Sequence, residues 1–161
     1  RAPYAQFQAG ACSLKGIRSP VCDQSETRTT IADLADVEKQ YPDSPYVPAA
    51  RGMSDIARVG LGEHEFVVGR FYMKSNAYFA AAERFRGILD GYPEFSRKQQ
   101  VYLELGKALL LAKNQVEGRI YLDKLVADYP GDPTAAKARK LLATLTAAPG
   151  AGASGDAPKT R

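Results

Sequence analysis

The chain has 161 residues, 45% of them hydrophobic and 25% charged, which is the composition of an ordinary globular domain. Its formal net charge of +4 is spread along the sequence, and no run of Lys and Arg resembles a nucleic-acid-binding patch. No stretch approaches the roughly 18 consecutive apolar residues of a membrane-spanning helix. The composition therefore excludes a nucleic-acid partner and a membrane span, and it allows one domain with a sizeable core.

Three helices are predicted in the first part of the chain. Residues 2–15 and 26–40 carry apolar side chains at helical spacing, with a loop between them and Pro42 ending the second helix. The third helix is predicted to begin with Ser44 as N-cap and Pro45 at its first position. It continues to Met73, with a bend near Gly60 to Gly62, because glycine weakens a helix interior.

A spaced set of residues then occurs twice, 37 positions apart. The two sets are Gly69, Tyr72, Ala81, Phe85 and Pro93, and Gly106, Leu109, Gly118, Leu122 and Pro130. This is the pattern of a tetratricopeptide repeat, a pair of helices of about 34 residues. The small residues predict close helix contacts, the large ones fill the space beside them, and each proline ends a second helix. Ser96, Asn114 and Asp132 are predicted helix N-caps.

A first repeat precedes these two. Gly10, Thr30, Leu34 and Pro42 take the positions of Gly69, Ala81, Phe85 and Pro93, with an insertion of 8 residues around Cys22. The prediction is an all-α superhelix of about three helical hairpins, with repeats at about 2–43, 62–95 and 99–132 and a last helix at 133–146. The tail 147–161 holds 10 Ala, Gly or Pro residues and is predicted to be disordered.

Groups suited to catalysis or metal binding are sparse. Cys12 and Cys22 form either a disulfide or two unpaired thiols, and with one histidine they do not make a zinc site. His64 is interpreted as a surface residue, and the Ser and Cys residues lack a plausible His partner. We therefore expect no enzyme activity, no cofactor, no metal and no small-molecule substrate.

The first helices of stacked repeats line a concave groove, which is the predicted partner-binding surface. The groove residues would be Phe66, Arg70, Met73, Leu103, Lys107 and Leu110. Apolar centres with basic edges suit a peptide with acidic flanks. The alternative is that Phe66 and Leu103 are partly core and that the basic residues are merely solvated.

Several segments resemble the BamD family, the outer-membrane lipoproteins of the β-barrel assembly machinery. The resemblance covers residues 4–130 and is carried by the segments 63–72 and 77–85, by Tyr92-Pro93, and upstream by Asp23-Gln24 and Tyr41-Pro42. It implies a scaffold at the periplasmic face of the bacterial outer membrane. The implied partners are the periplasmic domains of the barrel-forming subunit and other assembly lipoproteins.

The resemblance covers the C-terminal three of about five family repeats. Neither Cys12 nor Cys22 matches the acylated cysteine of the family, so the lipid anchor is expected to be missing from this chain. By position, the last two repeats and their turns are the implied contact with the barrel-forming subunit. Arg84, with Arg86, is the predicted exposed anchor there.

Two other functions fit the same architecture. One is a periplasmic repeat adaptor that coordinates cell-envelope or peptidoglycan processes. The other is a regulatory repeat domain of a larger enzyme.

Overall fold

The chain folds as an all-α array. A computed structural model describes residues 2–15, 19–20 and 22–147. Within these residues there are seven helices and no strand: α1 (Ala2–Lys15), α2 (Ser25–Gln40), α3 (Val47–Lys74), α4 (Tyr78–Gly91), α5 (Lys98–Leu111), α6 (Gln115–Asp128) and α7 (Pro133–Ala147). The predicted helical-repeat superhelix is confirmed. Ala147, assigned to the tail from the sequence, ends α7, and residues 148–161 lie outside the described part.

Each helix packs against the helices next to it in the chain. In addition α1 contacts α3 and α5 contacts α7, so first helices of neighbouring repeats touch, as in a superhelical stack. One hydrophobic cluster is shared by α3, α4 and α5 and includes Phe66, Phe85, Phe95 and Leu105. A second cluster joins α5, α6 and α7, and a small third one joins α2 to α3. The core is therefore made of three clusters placed one after another along the array.

Glycines let the two helices of each hairpin pack closely. We call each glycine that makes room for a large side chain of the partner helix a glycine notch. A Cβ atom on Gly69 would lie 2.6 Å from Cε1 of Phe85, and one on Gly106 would lie 2.6 Å from Cδ2 of Leu122. The same contact recurs in the first repeat, because a Cβ atom on Gly10 would lie 2.6 Å from Cδ2 of Leu34. These distances are shorter than atoms tolerate, so each large side chain occupies the space that the missing glycine side chain leaves free.

The beginning of α3 differs from the prediction. The helix begins at Val47 with Tyr46 as N-cap, so the predicted cap at Ser44 is wrong. The Ser44 amide instead donates to Tyr41 O at 2.9 Å in a turn, and the Tyr46 ring lies on Phe7 of α1 with centroids 5.4 Å apart. This aromatic contact holds the connection against α1, and the regular helix starts two residues later than predicted, at Val47 instead of Pro45. It then runs without interruption through Gly60 and Gly62.

The predicted caps further along have mixed outcomes. Asn114 caps α6, since its Oδ1 accepts from the Glu117 amide at 3.3 Å. Asp132 Oδ1 accepts from the Thr134 amide at 2.7 Å, and the hydrogen bonds from Thr134 lower the pKa of Asp132. The cap at Ser96 is wrong: α5 starts at Lys98 and Arg97 holds the N-cap position without a side-chain cap bond.

The turns inside the second and third hairpins share one geometry. Asn76 and Lys113, 37 positions apart, have positive φ values of 58° and 67°. In the first turn the Asn76 amide donates to Met73 O and the Ala77 amide to Tyr72 O; Lys113 and Asn114 repeat the pattern. This is the Schellman arrangement, in which a left-handed residue satisfies the last carbonyls of a helix.

Lys113 gives a first testable prediction, since a lysine is strained in the left-handed region that glycine adopts freely. We expect Lys113→Gly to be more stable than Lys113→Ala by about 1 kcal/mol in urea unfolding. Both variants remove the same charge, so their difference isolates the backbone term. Equal stabilities would show that this turn does not require the left-handed conformation in solution.

Candidate partner-binding surface

Two of the predicted groove residues belong to the core. Phe66 is 4% exposed and lies against Phe85, with ring centroids 5.6 Å apart. Leu103 is 3% exposed in the cluster between α5, α6 and α7. A partner cannot reach either side chain without unfolding the hairpin. The alternative interpretation from the sequence placed them partly in the core, and their burial is even more complete than that.

The remaining groove residues are more accessible but not uniformly free. Met73 and Leu110 are half-buried against the hydrophobic clusters. Lys107 Nζ donates to Glu104 Oε1 at 2.9 Å, one turn earlier on α5. Arg70 is exposed. Four of the six predicted groove residues thus remain at least partly accessible, two of them apolar and two basic.

Arg84 belongs to an ion-pair network across three helices, with Glu65 at its centre. Its Nη1 donates to Glu65 Oε2 of α3 at 2.9 Å, and Arg28 of α2 approaches the other oxygen of Glu65 at 3.9 Å. Glu65 is 13% exposed, whereas the side chain of Arg84 is 44% exposed. The hydrogen bond with Glu65 raises the pKa of Arg84, so the guanidinium stays charged. The partly buried carboxylate holds one edge of the guanidinium, and less than half of the Arg84 side chain remains exposed.

A surface cavity of about 460 Å³ opens beside this network. The residues that line it are Arg28, Glu65, Glu83, Arg84, Gly87 and Tyr92. A guanidinium offers five N–H donors in a planar fork, so Arg84 has donors left for a carboxylate from outside. The absence of a side chain at Gly87 leaves room for such a group. The arrangement is suited to binding an acidic side chain of a protein.

Arg86 is placed differently from the prediction of an exposed anchor. It pairs with Glu83 on its own helix and with Glu117 of α6, the latter at 2.5 Å. Its side chain is 30% exposed, and the pair with Glu117 joins the second helices of two repeats. Its position two residues after Arg84 turns it toward the next repeat, where it stabilises the stack and is not free for a partner.

A second inter-repeat contact was missed from the sequence. Arg97, at the start of α5, donates to both oxygens of Glu63 on α3, one of the two bonds being 3.1 Å. Its guanidinium also lies over the rings of Phe66 and Phe95, 4.8 and 5.6 Å from their centroids. Arg97 and Glu63 are 34 residues apart. The two clear repeats lie 37 positions apart, so the repeat pattern gave no signal for this pair.

His64 is partly buried and is not the free surface residue that the sequence suggested. Its Nδ1 contacts the carbonyl oxygen of Pro20, in the loop between α1 and α2. Gln24 holds the same loop through bonds from Nε2 to the carbonyls of Ser19 and Cys22. The insertion in the first repeat is thus attached to α3, and His64 has a structural explanation.

The cysteines are unpaired. Cys12 is exposed on α1 and Cys22 is partly buried in the loop, and both are free thiols. Over residues 2–15, 19–20 and 22–147, no group of three or more His, Cys, Asp or Glu side chains is arranged to hold a metal ion. None of the helices in this part of the chain is long and apolar enough to cross a membrane.

The hairpins, their glycine notches and the shared turn geometry define a helical repeat protein of the tetratricopeptide type. A family model described as an outer membrane lipoprotein, YfiO, matches residues 1–102. The chain belongs to this family, and its curated relatives show that it is related to BamD.

Two of those relatives carry the name outer membrane protein assembly factor BamD. The protein from Caulobacter vibrioides is 28% identical over 141 residues, which are 88% of this chain and 46% of that protein. The protein from Rickettsia prowazekii is 26% identical over 108 residues, 67% of this chain and 43% of that protein. The chain therefore spans less than half the length of these relatives.

Proposed function

We propose that this chain is a non-catalytic scaffold of the outer-membrane β-barrel assembly machinery. It acts at the periplasmic face of the bacterial outer membrane and binds the periplasmic domains of the barrel-forming subunit, alongside other assembly lipoproteins. The observation that carries the proposal is the outer membrane lipoprotein family match over residues 1–102. The names of the relatives, all assembly factors, support the same role.

The proposed contact on this chain is Arg84 together with the adjoining cavity. Arg84 is half-exposed, charged and held in orientation by the partly buried Glu65. A side chain that is already held in place loses less conformational entropy on binding than a free one. An acidic residue of the barrel-forming subunit would bind the free edge of the guanidinium. Charge-assisted bonds of this kind give an interface both orientation and specificity.

Reversing this charge tests the proposal. We expect Arg84→Glu to weaken binding of the barrel subunit's periplasmic domains at least tenfold, about 1.4 kcal/mol, in isothermal titration calorimetry. The new carboxylate would repel both Glu65 and the acidic partner group. Arg84→Lys keeps the charge but loses the planar fork, so its affinity should lie between those of Arg84→Glu and the native chain.

The matched control is Arg58→Glu, which makes the same charge change on an exposed position of α3. Its affinity should equal that of the native chain, with helix content checked by circular dichroism for all variants. If Arg84→Glu binds as tightly as Arg58→Glu, Arg84 is not in the interface. If the native chain itself shows no binding, the proposed partner is wrong.

A further inference from the structure

The two edges of the helical array differ in chemistry. Because the helices run alternately up and down, α1, α3 and α5 end at one edge, where the turns α3–α4 and α5–α6 lie, and the connections α2–α3, α4–α5 and α6–α7 lie at the other. We call residues 70–79 and 111–116 the tip edge. The segments 66–82 and 105–116, which contain it, include no Asp or Glu. The opposite connections carry Asp43, Glu94 and Asp132.

Large apolar side chains stand free on the tip edge. Phe79 and Val116, at the same position of successive repeats, are 73% and 77% exposed, the highest values among the large hydrophobic residues described. Phe71 and Leu111, also on the tip edge, are 62% and 49% exposed. Scattered single apolar residues are normal on a protein surface, but a set gathered at one edge marks an interaction site.

The cations of the tip edge are equally free. Arg70, Lys74 and Lys113 are exposed, and among the described residues none of them forms an ion pair. Helices α3 and α5 end at this edge and helices α4 and α6 begin there, so their opposite dipole ends offset each other and the positive charge comes from the side chains. The edge therefore combines apolar side chains with uncompensated positive charge, which is the chemistry of a surface that binds anionic lipid.

The shape of this edge favours a flat partner. Helix α3 continues ten residues beyond His64, which contacts Pro20, and at about 1.5 Å per residue it extends about 15 Å past that contact. The exposed side chains at the end of α3 thus lie well beyond this contact, where a flat surface can reach them. The chain also belongs to a family of outer membrane lipoproteins, whose members lie next to a lipid bilayer.

We propose that the tip edge is a peripheral membrane-contact surface, with Phe79 and Val116 entering the interfacial region of a bilayer and Lys74 and Lys113 pairing with anionic phospholipid headgroups. This contact is independent of the Arg84 interface, and it uses residues of the folded repeats and not an acyl chain. Its charge part should weaken with salt, because exposed charges are screened within about 8 Å at physiological ionic strength.

Co-sedimentation with vesicles tests the proposal on the chain alone. We expect binding to vesicles of phosphatidylethanolamine and phosphatidylglycerol, and much weaker binding to phosphatidylcholine. Each lysine near an anionic surface strengthens binding about fivefold, so Lys74→Glu with Lys113→Glu should lower the partition coefficient at least about 25-fold. Phe79→Ser with Val116→Ser should lower it tenfold or more even at low salt.

Matched controls exist away from the tip edge. Lys39→Glu with Lys137→Glu makes the same change in net charge, and Ile56→Ser removes an apolar side chain that is 64% exposed on α3. These controls should partition like the native chain. No binding to the anionic vesicles, or equal losses in the tip and control variants, would overturn the proposal. So would tip variants that bind vesicles normally but lose the barrel subunit's periplasmic domains, since the edge would then bind protein.

Discussion

Gly106→Leu is expected to destabilise the chain by about 3 kcal/mol, because the hairpin α5–α6 has no space for a side chain there. A Cβ atom would lie 2.6 Å from Cγ and Cδ2 of Leu122 and 3.3 Å from the carbonyl oxygen of Gly118. Leu122 is fully buried, so it cannot swing into solvent to make room. Chemical denaturation followed by circular dichroism measures the loss.

Gly52→Ala is the matched control. Gly52 is exposed inside α3, and an added Cβ atom would meet no other atom within 4 Å. Alanine is the better helix former, so this variant should gain about 0.5–1 kcal/mol. The two substitutions therefore have opposite signs, although both replace a glycine in a helix interior. If Gly52→Ala also loses stability, the difference in close packing between the two glycines does not explain the effect of substituting them.

Phe85→Ala is expected to cost about 3–5 kcal/mol of unfolding free energy, the range found for deleting a fully buried aromatic side chain. Phe85 is 0% exposed and its ring lies in the notch of Gly69 and against Phe66. Its removal leaves a cavity between α3 and α4 that the glycine cannot fill. Urea unfolding of the native and variant chains measures the difference.

Phe79→Ala, on the same helix, is the control for Phe85→Ala. Because Phe79 is 73% exposed, its stability change should stay within about 0.5 kcal/mol. The notch itself is tested by adding Gly69→Ala to Phe85→Ala, which should recover part of the lost stability by filling the vacated space. A further loss in this double variant would show that Gly69 is required for a reason other than the Phe85 ring.

The repeat pattern could be predicted from the sequence because each hairpin has the same packing requirement. Each notch needs one glycine and one large residue at a fixed separation in the sequence. This separation is the same for the pair Gly69 and Phe85 and for the pair Gly106 and Leu122. The first repeat kept the same pair, Gly10 and Leu34, although the loop insertion had lengthened the interval. Packing requirements of this kind survive insertions in loops, since the helices still meet at the same faces.

Contacts between repeats were harder to foresee. The partners of Arg97 and Arg86 lie on other repeats, and their pairing depends on how far one hairpin is rotated on the next. The sequence also gives no sign that the Tyr46 ring holds the connection before α3, which moved the helix start from Ser44. Phe66 and Leu103 were ambiguous because two adjacent faces of a first helix carry apolar residues, and only one of them faces the core.

Hydrogen–deuterium exchange of the chain with and without the barrel subunit's periplasmic domains tests the scaffold function most directly. The expected result is slower amide exchange in α4 and the adjoining part of α3, around Arg84 and Glu65, with little change in the connection at 41–46. If saturating amounts of the periplasmic domains leave amide exchange unchanged throughout the chain, the proposed scaffold function is contradicted.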